Sequence, residues 1–178
     1  MRYGLESVSS ALGKPAGSYL NHFDVIKGLC DLLSHKKPEF NSQKLVCEWV
    51  QRDLLNIAFG NSDNHGRNTS LLKKPSGIWL APIYDFAPMK ADTEGVCRTT
   101  LWGRPFEEGG FFRWEQIIER LDHLCPQEKL LSELHSTAKK LVGLKQRLKS
   151  REIPERILDM PALGYESLDD KLKRWNLI

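Results

Sequence analysis

Apolar residues recur at three- and four-residue spacing in the first third of the chain, which is the spacing of a buried helix face. The pattern predicts one helix that starts at Ser18 and a second that Asn41 or Ser42 caps and Gly60 ends. A shorter apolar face near the N-terminus predicts one further helix. The apolar positions of these segments are Leu5, Val8, Ala11 and Leu12; Tyr19, Phe23, Ile26, Leu29, Leu32 and Leu33; and Leu45, Val46, Trp49, Val50, Leu54, Ile57 and Ala58.

Short apolar runs replace the helical spacing in the middle of the chain. The runs at 69–72 and 78–81 flank a polar segment, 73–77, that contains proline and glycine. This order predicts a β-hairpin with a five-residue connection. Residues 89–110 show no periodicity and contain four glycines, which predicts a long functional loop.

Helical spacing returns after this loop. The predicted helices cover 114–124, 126–148, the stretch between Pro154 and Pro161, and 167–175. No internal repeat or linker divides the chain, so we expect one domain over residues 1–178. The predicted fold is mainly α-helical with one small β-hairpin.

The composition is that of a globular protein, with 40% hydrophobic and 28% charged residues among 178. No stretch approaches the run of about eighteen apolar residues that a membrane span needs. The N-terminus has no apolar signal core, so we expect a cytoplasmic protein without membrane contact. The four cysteines, Cys30, Cys47, Cys97 and Cys125, are too dispersed for a zinc motif and are expected to remain reduced thiols.

A net charge of +3 is too weak by itself to indicate nucleic-acid binding. The segment Lys139–Arg151 nevertheless holds six basic residues and no acidic one. A solvated helix face explains most such segments, and contact with nucleic acid is the alternative.

The candidate chemistry lies in the polar run that follows the second long helix. Asp63, His65 and Asn68 occupy this run, and Asp85 follows the predicted hairpin, which returns the chain toward the run. Phosphoryl transfer needs one carboxylate beside the attacking hydroxyl, and oxygen ligands that hold magnesium against the nucleotide phosphates. Protein kinases place the catalytic Asp and the magnesium-binding Asn five residues apart, and a second Asp, followed by Phe, after a short hairpin. Asp63, Asn68 and Asp85-Phe86 have that order and spacing.

Other uses of these residues stay open at this point. Asp, His and Asn also suit a metal-dependent nuclease, although such a site usually has more imidazole or carboxylate ligands. A non-catalytic regulatory module that acts through a partner protein or DNA, without transferring phosphate, is a further alternative on the same fold. His65 either orients Asp63 or a phosphate, or only caps the loop.

Two stretches resemble the HipA-like serine/threonine kinases, which are toxins of bacterial toxin–antitoxin modules. Residues 56–72 read NIAFGNSDNHGRNTSLL and residues 79–88 read WLAPIYDFAP. The resemblance implies the C-terminal lobe of a protein-kinase-like α+β fold that uses ATP and Mg²⁺. It implies that Asp63 is the catalytic base, that His65 stands at a catalytic-loop position, and that Asn68 and Asp85 bind the metal and nucleotide.

The same resemblance implies partners. Related kinases phosphorylate protein serines or threonines, in known cases on aminoacyl-tRNA synthetases, and pair with a HipB-like antitoxin whose helix-turn-helix binds DNA. Contact of this chain with DNA is therefore expected to be indirect or weak.

One part of a kinase is not found in the sequence. No glycine-rich loop after a strand precedes the Asp63 run, and Lys27 and Lys44 lie in helical patterns rather than in a nucleotide-binding sheet. We therefore expect this chain to be the C-terminal lobe of a kinase whose N-terminal nucleotide lobe, a further partner, is either cut from it or encoded separately. By itself, the 178-residue chain is expected to bind ATP weakly and to transfer no phosphate.

Overall fold

The computed structural model describes residues 3–36 and 40–178 and shows a mixed α+β fold in which about half of the residues are helical. Two short 3₁₀ turns, Met89–Ala91 and Tyr165–Ser167, add to the helices. Within the described residues the α-helices are α1 (Val8–Ala11), α2 (His22–Lys36), α3 (Ser42–Phe59), α4 (Trp114–Arg120), α5 (Gln127–Leu141), α6 (Leu144–Lys149), α7 (Glu155–Leu158) and α8 (Leu168–Arg174).

The β-structure is larger than the single hairpin predicted from the sequence. The strands are β1 (Gly4–Ser7), β2 (Leu20–Asn21), β3 (Ser70–Lys74), β4 (Gly77–Leu80), β5 (Thr100–Leu101), β6 (Glu107–Glu108) and β7 (Phe111–Phe112). They form an antiparallel sheet of order β1-β3-β4, a parallel pair β2-β5 and an antiparallel pair β6-β7. The prediction of a mainly α fold is therefore corrected to α+β.

The predicted hairpin exists, but its connection is shorter than expected. The ladder between β3 and β4 continues to the pair Lys74 and Gly77, so that only Pro75 and Ser76 form the turn. Gly77 has a φ of 149°, a conformation that favours glycine. The longer ladder pairs backbone N–H and C=O groups that a five-residue loop would leave to solvent.

The N-terminal prediction of a helical face is wrong for its first part. Leu5 lies in β1 opposite Leu72 and is 63% exposed, because the outer edge of β3 takes up this segment as a third strand. Ser7 then caps the short helix α1 by accepting a hydrogen bond from the Ser10 amide at 3.2 Å. An apolar period over so few residues does not separate a strand from a helix.

Helix α2 starts at His22, four residues later than predicted. Tyr19 is 77% exposed, and the adjoining residues pair as β2 with β5, about 80 residues further along the chain. The Asn21 side chain accepts a hydrogen bond from the Phe23 amide at 2.9 Å and so begins the helix. Both predicted ends of α3 are confirmed: the Asn41 side chain accepts from the Lys44 amide, and Gly60 ends the helix in the left-handed conformation.

The helix predicted over 126–148 is divided in two. Val142 and Gly143 separate α5 from α6, and Gly143 has a φ of 69°. The Gly143 amide donates to both carboxylate oxygens of Asp169, at 3.1 and 3.2 Å. The Ser167 side chain makes no cap hydrogen bond to α8, and the Asp169 carboxylate in the first turn of α8 binds the break between α5 and α6.

The aromatic residues within and just after the predicted loop are mainly structural. Trp102 and Trp114 are each 1% exposed, and Phe112 and Trp175 complete a cluster of edge-to-face and stacked rings. Phe111 is the exception at 36% exposed. The cluster attaches residues 100–114 to the core that α3, α4 and α5 form.

The position of Gly60 gives a stability prediction. Gly60 has a φ of 68°, and a Cβ there would lie 2.6 Å from the Leu163 side chain; Gly13 has a φ of 63° with no atom within 4 Å. Gly13→Ala should cost about 1–2 kcal/mol of unfolding free energy from the left-handed conformation alone. Gly60→Ala should cost about 1–3 kcal/mol more because of the steric overlap. Urea unfolding measures both, and equal losses would contradict this packing.

Candidate active site

The loop that carries Asp63 is anchored at its start by two asparagines. The Asn61 amide donates to the Asn56 carbonyl at 2.8 Å, and the Asn61 side chain donates to the Asn56 side chain at 3.0 Å. The Asn61 Oδ1 then accepts from the Asp63 amide at 3.2 Å. Asn61 is buried, so these bonds fix the backbone of the loop relative to the end of α3.

The other side of this loop packs on the N-terminal segment. The Val8 amide donates to the Thr69 carbonyl at 2.9 Å, and the Ser9 amide donates to the Gly66 carbonyl at 3.0 Å. A Cβ on Gly66 would lie 2.5 Å from the Ser9 hydroxyl, so only glycine allows this approach. Helix α1 therefore supports the loop that the sequence marked as the candidate site.

Asp63 and Asn68 are in direct contact. The Asn68 amide nitrogen donates to the Asp63 carbonyl at 2.8 Å and to the Asp63 carboxylate at 3.2 Å. Within the described residues, the Asn68 Oδ1 accepts no hydrogen bond. The five-residue spacing thus places a carboxylate and an amide oxygen side by side, with the oxygen available to a ligand.

His65 lies on the other side of the same carboxylate. Its Nδ1 accepts a hydrogen bond from the Arg67 amide at 3.3 Å, so the neutral ring carries its proton on Nε2. That Nε2 lies 3.5 Å from Asp63 Oδ1. Of the roles left open by the sequence, this geometry favours orientation of Asp63.

Asp85 is brought back to the loop by the hairpin. Tyr84 secures the return, since its hydroxyl donates to the Arg67 carbonyl at 2.5 Å and lies 2.6 Å from the Ser70 hydroxyl. Asp85 has a φ of 51°, which is uncommon for a non-glycine residue and costs backbone energy. Asp63, Asn68 and Asp85 line the same small cavity, of about 30 Å³.

The donor set of this cavity fits magnesium better than a transition metal. Two carboxylates and an amide are hard oxygen ligands, which Mg²⁺ prefers. In the part of the chain that the structure describes, no three His, Cys, Asp or Glu side chains cluster as a metal site. The nuclease alternative needs such additional ligands, and His22 is instead buried in the network described next.

The sequence did not reveal a buried polar network beneath the site. Asp53, on α3, is 2% exposed; it accepts hydrogen bonds from Arg98 at 2.9 and 3.2 Å and from the Trp102 indole at 2.7 Å. His22 Nδ1 accepts from the Trp49 indole at 2.9 Å, and His22 Nε2 lies 3.4 Å from Asp53. An acidic residue between Val50 and Leu54, on the apolar face of α3, was the only sequence signal.

Electrostatics keep the Asp53 carboxylate ionised. Burial by itself raises its pKa, but the Arg98 charge and the hydrogen bonds from His22 and Trp102 outweigh burial. The pKa of Asp53 is therefore held well below its usual range. Helix α3 leads into the Asp63 loop, and Arg98 lies at the end of residues 85–98, the segment that follows the hairpin. The network therefore joins this segment to α3.

Arg52 is a second residue that the sequence did not single out. Its guanidinium donates to the Ala81 carbonyl at 2.6 Å and pairs with Glu48. Arg52 also lines the cavity of Asp63 and Asp85. It therefore ties the end of β4 to α3 and places a positive charge beside the candidate site.

Much of the basic segment Lys139–Arg151 is already engaged within the fold. Lys145 pairs with Asp159 and Glu166, and Lys149 pairs with Glu155. Arg147 donates to the carbonyls of Val142 and Lys140. These contacts favour the solvated-face interpretation over contact with nucleic acid.

Among the described helices, none is both long enough and apolar enough to span a membrane.

The four cysteines are free thiols, of which Cys30, Cys47 and Cys125 are buried.

Comparison with known proteins identifies relatives at the level of family and fold. Residues 1–144 match the family profile described as HipA-like C-terminal domain. The chain also superposes on HipA from Shewanella oneidensis MR-1, solved in a complex of HipA, HipB and operator DNA, with a TM-score of 0.65 and 20% identity. That match covers 99% of this chain and 44% of HipA. Comparison with curated protein sequences gives no match.

The Asp53 network generates a prediction with a pH dependence. Asp53→Asn leaves the Arg98 guanidinium buried without its main counter-charge and should cost about 3–5 kcal/mol of unfolding free energy. Because the folded-state pKa is depressed, this contribution is present above about pH 4, the unfolded pKa, and is lost as pH falls toward the folded pKa.

Urea unfolding of wild type and Asp53→Asn between acid and neutral pH measures this difference. Asp31→Asn, an exposed change on α2, is the matched control and should stay within about 0.5 kcal/mol of wild type. A gap between wild type and Asp53→Asn that widens as pH falls would contradict the ionised Asp53.

Proposed function

This chain belongs to the HipA-like C-terminal domain family, a toxin–antitoxin kinase family, and on that basis we propose that it is the catalytic lobe of a serine/threonine protein kinase. The reaction is transfer of phosphate from ATP to a protein hydroxyl. The observation that carries this proposal is the cavity shared by Asp63, Asn68 and Asp85. A family module without chemistry has no need for these three groups in one cavity.

Asp63 acts as the general base. Its side chain is 31% exposed, so a hydroxyl from a substrate protein can reach it. The Asn68 amide and the His65 ring hold its two carboxylate oxygens on opposite sides, which limits the rotamers of the carboxylate. Its role is to orient the attacking hydroxyl and accept the proton as the oxygen–phosphorus bond forms.

Asn68 and Asp85 would hold magnesium. The free Oδ1 of Asn68 and the exposed carboxylate of Asp85 are oxygen donors of the kind that Mg²⁺ takes. When bound, magnesium neutralises the charge of the nucleotide phosphates. The strained backbone of Asp85 is consistent with a ligand position that folding fixes in advance.

The partners follow from the family. The solved HipA is in complex with HipB and operator DNA, and we propose a HipB-like antitoxin for this protein, with DNA contacted mainly through that antitoxin. The proposed substrate is a protein serine or threonine, and aminoacyl-tRNA synthetases are the first candidates. The proposed site of action is the cytoplasm, and a nucleotide-binding lobe acts together with this chain.

The kinase proposal predicts separate effects for the base and the metal ligand. In protein expressed from its whole reading frame, Asp63→Asn should lower labelled-phosphate transfer to purified synthetases by about 10²–10⁴-fold, because the base is lost. Magnesium-dependent binding of ATP should be retained. Asp85→Asn should lose both transfer and the magnesium dependence of ATP binding.

Asp92→Asn is the control, since Asp92 is exposed and caps only its own turn, through the Glu94 amide. Its transfer rate should equal that of wild type. Thermal unfolding verifies that each variant is folded. Phosphate transfer by Asp63→Asn within about threefold of wild type would rule out a general base at this position.

A further inference from the structure

A second cavity, which we call the basic cavity, lies beyond the site described above. Its volume is about 390 Å³, and it is bounded by the turn Met89–Ala91, the hairpin of β6 and β7, and helix α8. None of the residues that line it also lines the cavity of Asp63 and Asp85. The side chains on which its binding character depends are Lys90, Arg98, Glu107, Phe111, Lys171 and Arg174.

Positive charge dominates the basic cavity. In the part of the chain that the structure describes, Lys90, Lys171 and Arg174 form no ion pair. Lys173, which lies on α8 outside the cavity, pairs with Asp170. Arg98 lines the cavity as well, and its charge is balanced by Asp53 and by Glu107 at 3.4 Å. Glu107 is the one carboxylate among the described lining residues, so three cations there have no counter-charge.

Arg98 is largely buried in the wall of the basic cavity. Its side chain is 10% exposed, and Nη2 makes the contacts to Asp53. Its Nε lies 3.4 Å from a Glu107 oxygen, and its buried Nη1 has no hydrogen-bond acceptor in the described structure. Both nitrogens are shielded from solvent, so Arg98 contributes positive charge to the cavity wall rather than an exposed hydrogen-bond donor.

The cations are close enough to repel one another. Burial lowers the pKa of Lys90, and the charges of Lys171 and Arg98 lower it further, against an opposing effect of Glu107. The Lys90 backbone is held in place, because its amide donates to the Gly60 carbonyl at 2.9 Å. The fold thus fixes like charges around one space, an arrangement that a bound anion stabilises.

The walls of the basic cavity also indicate what the anion carries. Phe111 is exposed at 36%, whereas Phe112, Trp175 and Leu168 line the cavity as buried core residues. Arg and Lys side chains recognise phosphate oxygens, and aromatic rings bind an apolar group attached to them.

We propose that the basic cavity binds a phosphate monoester, with Lys90, Lys171 and Arg174 around the phosphate oxygens and Phe111 against the attached group. A phosphorylated side chain of a protein and a small organic phosphate share this chemistry. Binding here uses none of Asp63, Asn68 or Asp85, so it does not depend on the proposed kinase activity.

Isothermal titration of the 178-residue chain at constant ionic strength tests the site. The probes are inorganic phosphate, phenyl phosphate, a phosphoserine peptide and its unphosphorylated form. Saturable binding of a monoester, tighter than that of inorganic phosphate, is expected. Tighter binding of the phosphopeptide than of phenyl phosphate identifies a protein source, and the reverse order identifies a small molecule; both support the site.

Matched charge variants locate the binding. The double variant Lys90→Gln/Lys171→Gln should raise the Kd of the preferred monoester by at least about tenfold. Lys173→Gln removes one positive charge from α8 outside the cavity and should change the Kd by less than about twofold. Thermal unfolding checks that both proteins are folded.

Three results would overturn the assignment. The first is no saturable binding of any monoester by the folded wild-type chain. The second is equal affinity for the phosphorylated and unphosphorylated peptides together with no binding of phenyl phosphate. The third is an equal loss of affinity in Lys173→Gln and in the double variant.

Discussion

The buried contact between Asp53 and Arg98 connects helix α3, which leads to Asp63, with the segment that follows Asp85. Asp53 lies on α3, whose end leads into the Asp63 loop, and Arg98 ends the segment that begins at Asp85. A carboxylate in this environment requires its counter-charge, because an unpaired ion in the core costs several kcal/mol. The pair therefore holds the segment after the hairpin against α3. The same Arg98 forms part of the wall of the basic cavity.

The sequence predicted what depends on neighbouring residues. Asn41 and Gly60 mark the ends of α3 through local backbone chemistry, and the hairpin follows from two apolar runs around a turn. The spacing of Asp63 and Asn68 and the Asp-Phe after the hairpin named the residues that the structure brings together. The roles of these residues in catalysis stay a prediction.

Contacts between distant parts of the chain were not predictable in the same way. Strand β1 pairs with β3, more than sixty residues away in sequence. Leu20 of β2 pairs with Thr100 of β5. Asp53 meets Arg98 at a separation of 45 residues. Nothing in the local pattern encodes these partners, because a short apolar run suits a strand or a helix until the edge that receives it is known. The basic cavity has the same origin, since Lys90 comes from the middle of the sequence and Lys171 from its C-terminal end.

The two cavities have different proposed functions. The cavity of Asp63, Asn68 and Asp85 would supply the base and the oxygen ligands that phosphate transfer needs. The other concentrates positive charge beside aromatic rings and suits an anion that is bound without reacting. Residues 85–98 join them, with Asp85 at one end and Arg98 at the other. A ligand in the basic cavity would therefore contact the segment that positions Asp85.

The central claim is that Asp63, Asn68 and Asp85 form one magnesium–nucleotide site. A crystal structure of the protein from its whole reading frame, with magnesium and a non-hydrolysable ATP analogue, tests it directly. We predict magnesium bound by Asn68 Oδ1 and an Asp85 oxygen at about 2.0–2.1 Å, with the terminal phosphate facing Asp63. Magnesium and nucleotide bound elsewhere, with Asp85 making no contact to either, would contradict the account.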